Sequence, residues 1–281
     1  MKKYIKLIRV KHWIKNFLIF VPLFCSLSFS GTSIISTIIS FFSFSLGASF
    51  IYIINDIRDV DKDRNHPKKK NRPIASGAVK ISTAYIIAIL ILLLSLGLNS
   101  LANMSIINNS LWFLLAYLII NIGYSFGLKN VAILDVVLLA SGFVIRVYYG
   151  AAIINVEVSK WLFLTILNAS LFMGFGKRQK EFLVKGEVRK VLESYSKDFV
   201  DKFMYICLTL TIVFYSLWAI EQTQKYMFLS IPLLMIVLME YSLTVEKSDE
   251  GDPTTILLSN KGLMATSFIY ILFMILIMVV L

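Results

Sequence analysis

Two cysteines, two histidines and five prolines are all that the 281 residues hold of those types, and only 16% of the side chains are charged. Cys25 and Cys207 stand singly in apolar stretches, so neither a disulfide framework nor a thiolate metal site is expected, and both read as small core residues. His12 and His66 lack a His or Cys neighbour at ligand spacing, which argues against zinc. The sequence also lacks a glycine-rich nucleotide loop, a nucleic-acid-binding module and an internal repeat, so no nucleic-acid partner is expected.

What is abundant is apolar: 58% of the residues are hydrophobic and 14% aromatic, arranged in runs of roughly 18 to 25 residues, the length that crosses a bilayer as helix. The runs predict an all-α integral membrane protein of nine spans, over residues 13–30, 33–56, 80–98, 108–127, 131–153, 160–178, 203–221, 226–245 and 262–281. The first has a basic leader but no convincing small-residue cleavage site, and it is read as retained. One domain over residues 1–281 is expected, with hydrophilic loops at about 57–79, 177–202 and 246–261. Except for Arg146, Lys160 and Lys225, all 28 Lys and Arg residues fall on one side of this arrangement. The positive-inside rule makes that side cytoplasmic, with the N-terminus and the active site inside and the C-terminus outside. The net charge of +11 suits anionic lipid headgroups and also anionic ligands. Membrane-embedded aromatics, Trp13, Trp112, Trp161 and Trp218 among them, read as interface anchors and packing.

Against this background the stretch NDIRDVDKDRNHPKKKNRPIASG, residues 55–77, is dense in charge. If the second span continues as helix, Asn55, Asp56, Asp59 and Asp63 fall at about 0°, 100°, 40° and 80° around its axis, and Asp61 near 240° on the other side. Three carboxylates and an amide on one face repel one another unless a cation sits among them. Oxygen ligands without His or Cys select a hard ion, and Mg²⁺ prefers one or two carboxylates completed by waters and a diphosphate. Arg64, Lys68, Lys69, Lys70 and Arg72 follow closely and suit the phosphate oxygens that a metal leaves bare.

Asn55-Asp56-x-x-Asp59-x-x-x-Asp63 resembles the NDxxDxxxD signature of the UbiA superfamily of intramembrane prenyltransferases, and RPIASG is typical of that superfamily. Within it, RVKHWIKNFLIFVPLF, YSFGLKNVAILD, GFVIRVYYGAA and GKRQKE resemble the branch of decaprenyl-phosphate phosphoribosyltransferases. The resemblance covers most of the chain. It implies a nine-helix UbiA-type bundle with a cytoplasm-facing cavity, and Mg²⁺ held by Asn55, Asp56, Asp59 and Asp63. The reaction it implies is transfer of a phosphoribosyl group from 5-phosphoribosyl 1-diphosphate to a polyprenyl phosphate lipid, in cell-envelope biosynthesis. Lys15, in the first of these stretches, joins the substrate-binding residues on the resemblance alone.

A second site reads from the residues themselves. Asp135 and Arg146 lie three helical turns apart, so they share a face with Gly142 and Gly150, with Arg146 about 16 Å deeper in the membrane. An Arg at that depth calls for a water-filled or anionic cavity, or for an acid such as Asp135 to pair with. Gly142 and Gly150 read as points of close helix approach. Tyr124, Ser125 and Lys129 flank the same mouth. Lys177 and Arg178 end the sixth span, where Lys177 either meets a ligand or pairs with Glu181 at i,i+4. Residues 182–200 read as an amphipathic surface helix, a candidate lid, and EKSDEGDPTTILLSNKG as a solvated loop. Superfamily members that prenylate aromatic rings use two aspartate-rich motifs for a prenyl diphosphate. With one such motif, aromatic prenylation is the alternative reading and transport a more distant one, because no midplane site or repeat is seen. Homo-oligomerisation stays open.

Overall fold

The computed structural model describes residues 2–67, 69–102, 109–183, 190–247 and 251–279. Lys68, residues 184–189 of the expected surface helix and residues 248–250 of the acidic loop lie outside them. All regular structure among the described residues is helical, as backbone in hydrocarbon requires. In chain order the helices are α1 (Lys2–Leu7), a 3₁₀ segment (Val10–Phe20), α2 (Val21–Cys25), α3 (Gly31–Arg58), α4 (Val60–Asn65), α5 (Ile81–Ala102) and α6 (Ser110–Ser125). They continue with α7 (Leu134–Ile154), α8 (Lys160–Leu183), α9 (Lys197–Glu221), α10 (Ser230–Lys247), α11 (Pro253–Ser259) and α12 (Lys261–Val279).

Among the described residues six stretches are long and apolar enough to cross a membrane: α3, α5, α7, α9, Met227–Lys247 and Lys261–Met278. The protein is therefore a multi-pass membrane protein. The other three expected spans take different forms. Residues 13–30 are not one α-helix but the 3₁₀ segment followed by α2. α6 has 16 residues. α8 has 24 residues but ends in the charged run Lys177–Glu181, which is helical where a loop was expected from residue 177.

The helices gather into two compact units. One comprises Met1–Leu23, Ser28–Ser125 and Ile145–Val156. In it α3 packs along α5, and small residues where they meet let the backbones approach: Ser43 Oγ donates to the Ser95 carbonyl at 2.8 Å and Ser95 Oγ to the Ser43 carbonyl at 2.7 Å. The winding of the 3₁₀ segment follows from what it faces. With three residues per turn, Trp13, Asn16 and Ile19 eclipse one another. Trp13 Nε1 donates to Ser49 Oγ at 3.0 Å, Asn16 Nδ2 donates to Ser45 Oγ at 2.8 Å, and Ile19 is fully buried beside Phe44 and Tyr149. Serines one α-turn apart on α3 thus face residues one 3₁₀-turn apart. A Cβ on Gly150 would collide with the Ile19 carbonyl oxygen, so only glycine lets α7 lie against this segment, as read from the sequence.

The second unit comprises Phe24–Leu27, Phe126–Val144 and Glu157–Leu281. Here α8 packs along α9 and α10 along α12, around a core that includes Val136, Phe172, Val191, Leu192, Val200, Met204 and Ile256. Two expectations are corrected in it. The described part of residues 182–200 is the end of α8, a 3₁₀ turn (Lys190–Ser194) and the start of α9, with Val191 and Leu192 buried in the core instead of lying on a surface. The stretch beginning at Asp252 is not a solvated loop. Asp252 caps α11 by accepting from Thr254 N, Pro253 takes the N1 position, and Ile256 is fully buried.

Candidate active site

At the end of α3 the backbone of Asp59 (φ −90°, ψ 12°) stops one helix and α4 begins. The hydrogen bonds Asp59 N to Asn55 O (2.9 Å) and Asp63 N to Asp59 O (2.8 Å) nevertheless carry the chain across the break. Asp56 and Asp63 are buried, at 2% and 3% exposure. A single nitrogen of Arg72, Nη1, lies 3.1 Å from Asp56 Oδ1 and 2.5 Å from Asp63 Oδ2. Arg72 is aimed there by the loop that carries it. Ile74 and Val79 sink into the cluster with Ile53, Ile57 and Val60, Ser76 N and Val79 N bond back to Arg72 O and Pro73 O, and Gly77 closes the turn at φ +75°, a conformation open to glycine.

Asp56 holds a second guanidinium. Arg9 Nη2 donates to Asp56 Oδ1, while the Arg9 guanidinium lies 4.9 Å from the centroid of the Tyr52 ring. Arg9 is one of four non-glycine residues with positive φ among the described residues, at 51°, and such backbone persists where the surroundings fix it, often at functional sites. By contrast Asp61 is 89% exposed and pairs with Arg64, itself 54% exposed, at 3.2 Å. Lys69 and Lys70 are exposed in a 3₁₀ turn.

Arg146 is buried in the same unit. Its Nε donates to Asn16 Oδ1 at 2.7 Å and Nη2 to the Tyr117 hydroxyl at 3.2 Å, and the guanidinium lies about 5 Å from the rings of Phe44 (5.1 Å) and Tyr117 (4.9 Å). Donation of the Asn16 amide to Ser45 fixes which end of that amide faces Arg146. Lys15 and Tyr52 are near enough to act electrostatically on the Tyr117 hydroxyl. Asn16, Tyr117 and Arg146 therefore form one hydrogen-bonded polar group on the unit that also holds Asp56, Asp63, Arg9 and Arg72. Tyr124 is partly buried at the end of α6.

Asp135 has other partners. In the second unit its carboxylate accepts from Arg178 Nε at 2.6 Å and from the Tyr195 hydroxyl at 2.7 Å, and Arg178, fully buried, also donates to Glu181. Tyr195 OH in turn accepts from Ile133 N. Burial, reinforced by donation to a carboxylate, pushes the Tyr195 hydroxyl up to about 12, so it stays protonated as a donor. Arg178 is thus a buried partner of Asp135 and Glu181. Lys129 lies partly buried in a 3₁₀ turn, and Lys177 Cα lies 3.3 Å from where a Cβ on Gly251 would stand.

Of the three carboxylates expected on one face, Asp56 and Asp63 converge on Arg72 Nη1. Among the described residues no group of three His, Cys, Asp or Glu side chains is gathered closely enough to hold an ion. Two suffice for Mg²⁺, which takes one or two carboxylates and completes its shell with waters and phosphates, and Asp56 and Asp63 already converge on one cationic nitrogen. The donor set fits a hard divalent ion.

The sequence profile of the UbiA prenyltransferase family matches residues 19–269. The chain belongs to that family. A decaprenyl-phosphate phosphoribosyltransferase of Corynebacterium glutamicum is 34% identical over 95% of this chain and 84% of its own length. One of Mycobacterium tuberculosis is 31% identical over 95% of this chain and 91% of its own. A UbiA homologue from Archaeoglobus fulgidus, solved bound to GPP and Mg²⁺, superposes with a TM-score of 0.74 at 19% identity, covering 99% of this chain and 100% of the other. The UbiA fold of the chain is established by that likeness. Arg9, Asn16, Tyr52, Tyr117 and Tyr195, which the sequence did not single out, are partners of the candidate residues or of one another, and Arg9 and Asn16 stand in the RVKHWIKN stretch already noted for its resemblance.

Proposed function

We propose that this protein transfers the 5-phosphoribosyl group of 5-phosphoribosyl 1-diphosphate to a polyprenyl phosphate and releases diphosphate. The observation that carries the reading is the distribution of buried acids. Among the described residues they are Asp56, Asp63 and Asp135; Asp135 is engaged by the fully buried Arg178 and by Tyr195, whereas the arginines on Asp56 and Asp63 are partly exposed. One carboxylate pair serves one metal-bound diphosphate. The surrounding cations Arg9, Arg72, Lys15 and Arg146 then serve a donor that has a further phosphate and an acceptor that is itself a phosphate. The names of the relatives along nearly the whole chain agree.

Mg²⁺, held by Asp56 and Asp63 with Asn55 and Asp59 beside them, would neutralise the diphosphate leaving group. The C1–O bond breaks with its electron pair on diphosphate, and a lipid phosphate oxygen forms the new bond to C1. That oxygen is already anionic, so no general base is required, and attack from the opposite side turns an α donor into a β product. Arg72 and Arg9 bind phosphate oxygens, and Arg146 and Lys15 of the same unit hold a further anion. We place the site on the cytoplasmic side of a single nine-span domain, N-terminus inside and C-terminus outside. At about 2.0 Å per 3₁₀ residue and 1.5 Å per α residue, Val10–Cys25 reaches roughly 30 Å, the thickness of the hydrocarbon core.

The test uses purified protein with labelled phosphoribosyl diphosphate, Mg²⁺ and polyprenyl phosphate. Label should enter the organic-extractable lipid only when all are present, with one diphosphate released per transfer. Release of diphosphate from a polyprenyl diphosphate in the presence of an aromatic acid, with the sugar donor ignored, would reject the donor assignment.

A further inference from the structure

Asp56 and Asp63 do not wait empty for a cation, because they already hold one. A single Arg72 nitrogen bridges their oxygens at 3.1 Å and 2.5 Å, and Arg9 donates to the same Asp56 oxygen. Two buried carboxylates and two guanidiniums make a locally neutral set. A dication entering that set unchanged would leave two surplus positive charges in a poorly hydrated place, which is costly.

The two sides of the pairs differ in freedom. The carboxylates are 2% and 4% exposed and fixed on helices, whereas the Arg9 and Arg72 side chains are 19% and 28% exposed. Arg72 is tethered through Pro73 and the buried Ile74, so rotation of its side chain suffices to leave the carboxylates. Arg9 has the Tyr52 ring to rest on. Guanidinium forks match phosphate as well as carboxylate.

We propose that Arg72, assisted by Arg9, is an exchangeable counter-cation: it neutralises Asp56 and Asp63 in the resting protein and passes to the phosphate oxygens of the incoming diphosphate when a divalent metal takes those carboxylates. This rests on the reading of Asp56 and Asp63 as metal ligands given above. Arg72 is then a positioning residue that couples the two ligands. Free metal binds weakly because it must displace an arginine with nowhere to go, and diphosphate supplies the place. By linkage, each ligand tightens the other by the same factor.

Equilibrium dialysis of the full-length protein in detergent against labelled Mn²⁺, with and without inorganic diphosphate, reads this directly and needs no turnover. In the wild type, diphosphate should tighten Mn²⁺ binding by about tenfold or more. In Arg72→Gln, Mn²⁺ alone should bind about fivefold or more tighter than in the wild type, because unpaired buried carboxylates are left behind, and the gain from diphosphate should shrink. Arg9→Gln should move both quantities the same way by less, and it carries the test if Arg72→Gln does not purify as a monodisperse protein. Mn²⁺ affinity in the variants equal to or below that of the wild type overturns the exchange, as does tight wild-type binding indifferent to diphosphate. No Mn²⁺ binding in any of the proteins would overturn the metal reading together with the inference. Normal exchange in a protein that ignores phosphoribosyl diphosphate would reject only the donor assignment.

Discussion

Four aspartates within eight residues have unequal standing, and burial sorts them. Asp56 and Asp63 are shielded from water and hold guanidiniums, Asp59 sits at the break between α3 and α4, and Asp61 is 89% exposed with a surface partner. Exposed pairs of that kind contribute little, whereas a buried carboxylate in a charged set cannot be neutralised without loss. Asp56→Asn and Asp63→Asn should therefore lower Mg²⁺-dependent turnover by roughly a hundredfold or more, while Asp61→Asn keeps most of it in the same lipid-extraction assay; equal losses at all three would refute the distinction. Asp56, Asp63, Arg72 and Arg146 were legible in the sequence because acid crowding and an arginine within an apolar run are local signals. Arg9 and Tyr195 were not. Their carboxylate partners lie 47 and 60 residues away along the chain, and no periodicity links such pairs.

Hydropathy gave the existence of the helices correctly and their type less well. The expected continuous helix through Asp63 is interrupted at Asp59, although Asp59 N and Asp63 N still donate to Asn55 O and Asp59 O, and Asp56 and Asp63 are bridged by Arg72. In the same way the short stretch VKHWIKNFLIF does not by its pattern distinguish a repeat of 3.0 from one of 3.6. The 3₁₀ winding of Val10–Phe20 is instead selected by its neighbours, Ser45 and Ser49 on α3 and the bare backbone of Gly150 on α7. This winding delivers Asn16 to Arg146, so the element is the link between packing and site. Gly150→Val should push the Ile19 carbonyl aside and cost about 1–3 kcal/mol or more by overpacking, lowering the thermal unfolding midpoint of the purified protein. Because Asn16 moves with Ile19, donor affinity should fall as well; a variant with unchanged midpoint and affinity would show that this contact positions nothing.

At the scale of the whole molecule, charge has to decide how the chain sits in the bilayer, since six apolar helices by themselves cross it equally well in either sense. Basic residues near the cytoplasmic leaflet gain about 1 kcal/mol each from anionic lipid, and the segments rich in them here are the N-terminal stretch, the loop that holds Arg72 and the end of α8. α1 ties two of these together: Lys3 Nζ donates to Ala78 O at 3.2 Å and Lys6 Nζ to Asn71 O at 2.8 Å, with Leu7 fully buried in the cluster around Ile74. α1 and the loop that holds Arg72 must therefore lie on the same side of the membrane, whichever side that is. In the nine-span arrangement proposed above, Lys160 and Lys225 are the basic residues assigned to the opposite side, too few to compete, and on that proposal the donor, a charged sugar phosphate, is met in the cytoplasm. Glu157 and Lys225, both exposed, are suitable reporters of the outside, and Lys62 and Lys70, exposed in the first loop region, of the inside. With Cys25 and Cys207 replaced by Ser, single cysteines at 157 and 225 should react with a membrane-impermeant maleimide in intact cells. Cysteines at 62 and 70 should react only after permeabilisation. The reverse pattern would place the metal site outside and leave the protein without access to a cytoplasmic donor, and labelling at 157 without labelling at 225 would mean that the helices between them do not cross as a pair.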